Sequence, residues 1–315
     1  MNGDINIKKI PKTDHLEKES NDKPKDFKKI FFRIFQTLVM MGVVVVITTL
    51  VVDATDNIDN FSNSLIGSAI GISGSDGGGS RCPDGMVYIT SASGSFCIDK
   101  YTASASDDCP YPEPSSQSQT RENLSANECK PVSVAGAMPW RYISQTQAQE
   151  ACQQVGKFLP DNEKWFNASR GTPSDRAGSL NDCNLDNNWN DSPGPTGSGE
   201  NCVSGFNTFD QVGNTWEWVN DIVRDGVIDG HKLPETGYIT SVDTKGIVLA
   251  TDPDEPDENY NKDWLWVNPE GTRGVMRGGF FGSRSDGGVY SFHAEMTPDF
   301  SGRAVGFRCV SETNN

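Results

Sequence analysis

Hydrophobic and polar positions change character three times along the chain. Residues 1–33 are polar and Lys-rich. Residues 34–52, IFQTLVMMGVVVVITTLVV, are almost wholly apolar and carry no charge. Nineteen such residues in a helix are long enough to cross a hydrocarbon core of about 30 Å. Residues 53–80 are polar again and end in SGSDGGGS, the composition of a flexible tether. From residue 81 onward short apolar runs alternate with turn residues. MVYIT (86–90) and SFCIDKY (95–101) read as two strands around a Ser/Gly turn. SQTQAQEACQQVG (144–156) reads as a helix, with Ser144 as cap and Gly156 as stop. LPDNEKWFNASRG (159–171) repeats that logic with Asp161 and Gly171. RGVMRGGFF (273–281) and AVGFRCV (304–310) read as strands, whereas 172–208 and 221–262 are turn-rich with little periodicity. The expected fold is α+β, with few helices and much loop.

Charge assigns the compartments. The net charge is −16, yet residues 1–33 hold eight Lys, Arg33 and only six acids. A chain this acidic lacks the Lys/Arg surplus that phosphate contacts need, so no nucleic-acid partner is expected. Lys28, Lys29 and Arg33 precede the apolar run, and Asp53, Asp56 and Asp59 follow it. The positive-inside rule then predicts a single-pass membrane protein. Its N-terminal tail (1–33) is cytoplasmic, residues 34–52 span the membrane, 53–80 form the linker, and 81–315 form an extracellular domain. A secretory signal peptide is the competing reading. Its apolar region is only about 7–15 residues long, and a 33-residue polar leader does not suit it.

Cysteine usage agrees with export. All eight Cys (82, 97, 109, 129, 152, 183, 202, 309) follow the apolar run. An even number outside the cell reads as a disulfide framework. Zinc is the alternative, but no CxxC occurs, and only His231 and His293 lie in that region.

Several blocks occur in a telling order: GMVYI, SFCIDKY, PV at 131–132, A-x-x-x-C-x-x-x-GKFLPDNEKW (148–165), DQVGNTWEWV (210–219), RGGFF (277–281) and GFRCV (306–310). Together they resemble the sulfatase-modifying-factor, or formylglycine-generating-enzyme, superfamily over about residues 82–310. The resemblance implies a loop-rich variant of the C-type lectin fold. It also implies that the GFRC cysteine bonds the helix cysteine before GK, which here is Cys152–Cys309. Beside it, Cys82–Cys97, Cys109–Cys129 and Cys183–Cys202 pair neighbours across turn-rich segments.

By the same resemblance a structural Ca²⁺ is held by the Asp210 side chain, the Gly213 and Thr215 carbonyls, and Glu217. Mixed carboxylate and carbonyl oxygens suit that ion. From the residues alone, Glu217 between two Trp is a buried carboxylate that needs a cation or hydrogen bonds. Backbone N–H groups or an Arg would serve as well. Active family members bind copper through two cysteines between RGG and GFRC and oxidise a substrate cysteine. Residues 280–305 contain no cysteine, so no copper is expected and no catalytic residue is assigned. A divergent oxidoreductase of the superfamily is the alternative reading.

The segment 280–304 is also similar to the variable proteins of diversity-generating retroelements. These share the fold and carry adenine-mutagenised codons on a ligand-binding face. Mutating Asn codons at adenines cannot produce Lys, Glu, Gln, Met or Trp, and residues 280–294 contain none of these. The leading expectation is therefore a membrane-anchored binding module whose ligand is a protein, peptide or glycan at a cell or virus surface. Its nominated face is Phe280, Phe281, Ser283, Ser285, Asp286, Tyr290, Phe292 and His293. Strand alternation sends roughly half of these inward, and Gly287–Gly288 lets the chain turn. The competing reading makes Phe280, Tyr290 and Phe292 plain core. Arg277, Gly278, Gly279, Gly306, Phe307 and Arg308 are expected to be scaffold.

Overall fold

The Ala92–Ser93 turn folds β1 (Met86–Ser91) onto β2 (Gly94–Asp99), the expected pair of strands, with Met86 opposite Asp99. This computed structural model describes residues 81–174, 179–186 and 191–313. The expected tail, membrane span and tether (1–80) lie outside the described residues. Among the described residues no helix is long and apolar enough to cross a membrane.

β14 (Val310–Ser311) joins β2, so the end of the chain closes a three-stranded sheet with the beginning of the domain. β3 (Ser104–Ala105) pairs β4 (Pro131–Val132). Between them lies α1 (Gln117–Ser125), capped by Ser116. Its polar sequence gave no apolar period, and it buries only Thr120, Asn123 and Leu124. α2 (Gln145–Gln154) has a full capping box, in which Ser144 and Gln147 each bond the other's backbone N–H. Asp161 caps α3 (Asn162–Ser169).

The large sheet is mixed. It contains β5 (Trp216–Arg224), β6 (Val227–Ile228), β7 (His231–Lys232), β8 (Gly237–Val242), β9 (Val248–Asp252), β10 (Trp264–Val267), β11 (Thr272–Arg277), β12 (Phe292–Ala294) and β13 (Val305–Phe307). The strand order is β7-β6-β5-β11-β12-β10-β8-β9, with β13 parallel to β5. Region 221–262 was expected to be turn-rich; it holds four of these strands. They form the two ends of the sheet, where only a few side chains such as Ile228, Ile239 and Val248 reach the core. Bulges in the β8–β9 ladder also break the period of two. The strand expected over 273–281 stops at Arg277, because Gly278 and Gly279 take φ +90° and +86°. A Cβ on Gly278 would lie 2.3 Å from the Gln211 carbonyl oxygen.

Successive residues of the central strands feed two cores on opposite faces of this sheet. Val219, Leu265, Val275 and Phe292 pack with Trp165 and Phe166. Trp218, Met276 and Phe307 pack with Trp140, Ile143 and Cys152. All four expected disulfides are present: Cys82–Cys97, Cys109–Cys129, Cys152–Cys309 and Cys183–Cys202. Cys152–Cys309 spans 157 residues and ties α2 to the turn between β13 and β14. The fold class is the expected one: α+β, loop-rich and stapled by disulfides.

Candidate functional site

The site rests on buried charge. Strand alternation puts Trp216 and Trp218 on one face of β5 and Glu217 on the other. Glu217 is 1% exposed and Arg308 is fully buried. The Arg308 Nε and Nη2 donate to the two Glu217 oxygens at 2.6 and 2.7 Å. Thr102 Oγ1 and Trp165 Nε1 complete the carboxylate's hydrogen bonds at 2.8 and 2.7 Å. Of the readings open from sequence, the arginine is the one realised.

Arg277 is the second buried cation. Its Nε donates to the Ser291 carbonyl at 2.9 Å and its Nη2 to the Val289 carbonyl at 3.0 Å. Its Nη1 donates to Asn162 Oδ1. Its guanidinium lies over the rings of Trp165 and Phe292. Burial pulls its pKa down to about 9. Asp263 holds the same segment from the other side, accepting from the Tyr290 N–H at 2.7 Å. Burial raises the Asp263 carboxyl to about 8, partly opposed by N–H donation from Tyr290 and Ser291. Gly288 is required by this carboxylate: a Cβ there would sit 2.2 Å from Asp263 Oδ1. Gly287 has φ −101°. The glycine pair therefore serves close packing rather than the turn expected from sequence.

Above this base, residues 278–291 form a loop with a single 3-10 turn at Arg284–Asp286. Phe280 N–H donates to Ser283 Oγ, and Ser291 Oγ donates to the Asp286 carbonyl. The loop divides the nominated face. Ser285 is exposed, and Phe280, Asp286 and Tyr290 are half-buried. Phe281, Ser283, Phe292 and His293 are buried. Phe292 is core, and Ser283 is spent on the loop's own turn. His293 is enclosed by the rings of Trp216 (5.4 Å) and Trp266 (5.7 Å), and burial lowers its pKa to about 4. All six expected scaffold residues are buried.

The structure adds an aromatic row that sequence reading missed. Phe280 stacks on Trp216 at 6.5 Å, and Trp216 meets Trp266 edge-on at 5.4 Å. Trp264 follows at 6.5 Å, and Tyr238 meets Trp264 at 4.5 Å. Trp264, Trp266 and Tyr238 are half-buried, whereas Leu265 between the two Trp is fully buried. The pattern W-L-W was the available signal: two large aromatics on one face of a strand and an aliphatic on the other.

At Glu217, one of the oxygen ligands expected for calcium, Arg308 supplies the opposite charge. Every oxygen position of Glu217 is taken by Arg308, Thr102 and Trp165, and the arginine already neutralises the charge. Asp210 Oδ2 accepts from the Gly197 N–H at 2.7 Å. Burial raises the Asp210 carboxyl to about 7, partly opposed by N–H donation from Gly197.

The family model for the sulfatase-modifying factor enzyme 1-like domain matches residues 87–313. The chain belongs to that family. Glu217 and Arg308 thus come from two of the blocks that carry the family pattern, GNTWEW and GFRC. No curated protein matches the sequence. Among solved structures the family domain is similar to two variants of the Major Tropism Determinant. For M1 the identity is 14% and the TM-score 0.39; for I1 they are 15% and 0.40. Each match covers 75% of this chain and 54% of the other. The chain thus spans about half the length of those proteins. It is also similar to Treponema denticola variable protein 1, at 13% identity and TM-score 0.36, covering 73% of this chain and 100% of that one.

Proposed function

We propose that this protein is a membrane-anchored, extracellular ligand-binding module rather than an enzyme. Its contact face is the 280–290 loop together with the aromatic row. One observation carries the reading. Side chains of variable-compatible composition reach the surface on a loop whose backbone is fixed from below by Arg277 and Asp263. Such a base lets side chains above it change while the fold stays. Aromatic, Ser and Asp side chains together make an adaptable contact surface, as in antibody paratopes. The residue set at 280–294 supports the finer reading, a retroelement variable protein. The charge asymmetry around 34–52 supports an N-terminus inside and the domain outside. The pairing of all eight cysteines, which leaves no free thiol, supports binding over the oxidoreductase alternative.

Sequencing this gene and the DNA beyond codon 310 in many clonal isolates tests the proposal. The expected result is a near-copy of codons 273–310, with substitutions confined to adenine-derived positions within codons 280–293. Codons for Arg277, Gly278, Phe307 and Arg308 remain constant. Variation spread evenly over the domain, with no near-copy, would overturn the variable-protein reading.

A further inference from the structure

The aromatic row has an outer end that belongs to neither core. Tyr238 touches Trp264, and Trp264 touches Trp266; neither Tyr238 nor Trp264 packs against the two buried clusters. The ladder β9-β8-β10 sets Asp252 opposite Tyr238 and Tyr238 opposite Trp264. Directly paired residues in a sheet project to the same face, so Asp252 ends the row. Its Oδ1 accepts from the N–H groups of Asp254 and Glu255 at 2.9 and 3.0 Å. These bonds hold its carboxyl below the usual range, so it is ionised. Asp254 and Glu255 stand exposed beside it.

Cations are the missing partner. Elsewhere this chain covers ring faces with its own guanidinium groups: Arg81 over Tyr88, Arg170 over Phe166 and Arg303 over Phe281, at 5.0 to 5.3 Å. Among the described residues no Lys or Arg lies over Tyr238, Trp264 or Trp266. The stretch 235–267 holds eight acids against Lys245 and Lys262. Both lysines are already paired, to Asp229 and Glu258.

We propose that the Tyr238–Trp264–Trp266 ledge, with Asp252 at its end, receives an Arg- or Lys-bearing segment of a partner protein. The proposal rests on the binding-face reading above and names the chemistry of its ligand. A cation is drawn to an indole face and more strongly when desolvated. The flanking carboxylates provide the opposite charge, and the strongly acidic domain steers a basic partner at a distance. An anionic glycan is repelled by the same charges. A neutral glycan makes no use of them.

The test uses the full chain in detergent, tryptophan fluorescence and calorimetry. The probes are a Gly-Arg repeat peptide, the same peptide with citrulline for arginine, and a neutral cello-oligosaccharide. The expected result is binding of the arginine peptide, weakened about fivefold or more by citrulline and by Trp264→Ala. Asp252→Asn lowers the salt dependence. Phe158→Ala, at a distant exposed aromatic (54% exposed), leaves binding unchanged. Equal binding of the arginine and citrulline peptides, or arginine binding indifferent to Trp264→Ala, overturns the proposal. Oligosaccharide binding lost in Trp264→Ala also overturns it, while leaving the binding face itself intact.

Discussion

The base of the site and its ledge are built from the same residue types to opposite ends. At the base, Glu217 meets Arg308, and Trp165 donates to the carboxylate; Arg277 lies between aromatic rings and carbonyl oxygens. All of it is closed to water. On the ledge, Trp264, Trp266, Tyr238 and Asp252 repeat the aromatic and acidic ingredients without any arginine, and they stay half open. Desolvation makes the difference. A charge taken out of water must find its partner within the chain, so the base is fixed in identity and geometry. A charge left in water is free to find its partner in another molecule. The loop 280–290 lies between the two, held below by buried groups and exposed above.

The largest way to break this contrast is to strip one partner from the base. Arg308→Met leaves Glu217 buried and uncompensated. Unfolding in denaturant should show a loss of about 3–5 kcal/mol. Adding Glu217→Gln to that variant should restore part of the loss, since the double change removes the stranded charge. A loss in the double variant equal to the sum of the losses in the two single variants would show that the pair is not coupled.

A smaller effect comes from protons. Asp263 has a folded pKa of about 8, above its ordinary 3.8. Its contribution to stability is therefore complete below about pH 4 and is lost as pH rises through about 8. Asp210, at about 7, acts in the same sense. His293, lowered from 6.5 to about 4, acts oppositely: its contribution is present above 6.5 and lost as pH falls through about 4. Asp263→Asn should flatten the decline in unfolding free energy between pH 4.5 and 8. Parallel curves for the variant and the parent would remove Asp263 from this role.

The smallest effect is expected on top. Ser285→Ala, at an exposed loop position, should shift stability by no more than about 0.5 kcal/mol. A larger loss by thermal or denaturant unfolding would place Ser285 in the base and erase the distinction between the two regions.

Much of the scaffold was readable before any coordinates. Ser144 and Asp161 are strong caps, and local chemistry decides caps. Cysteine count, order and family blocks led to all four pairs. Arg277, Gly278, Phe307 and Arg308 were correctly assigned to the interior. The nominated face was legible as a segment but not residue by residue. Alternation predicts that half of it turns inward, but a loop with a 3-10 turn does not follow a period of two, so which half was undetermined.

The sequence by itself therefore determined those elements whose cause is local: two capped helices, the first hairpin, and the chemical need of a carboxylate set between two tryptophans for a partner. Tertiary structure alone decided that Arg308, 91 residues away, is that partner. It also decided that Asp263 sits under Gly288, and that Tyr238, Trp264, Trp266 and Phe280 form one row. These contacts join three strands, β5, β8 and β10, to loop segments distant in sequence. Each exists because long-range strand pairing sets the register, and register is a property of the whole sheet rather than of any one segment.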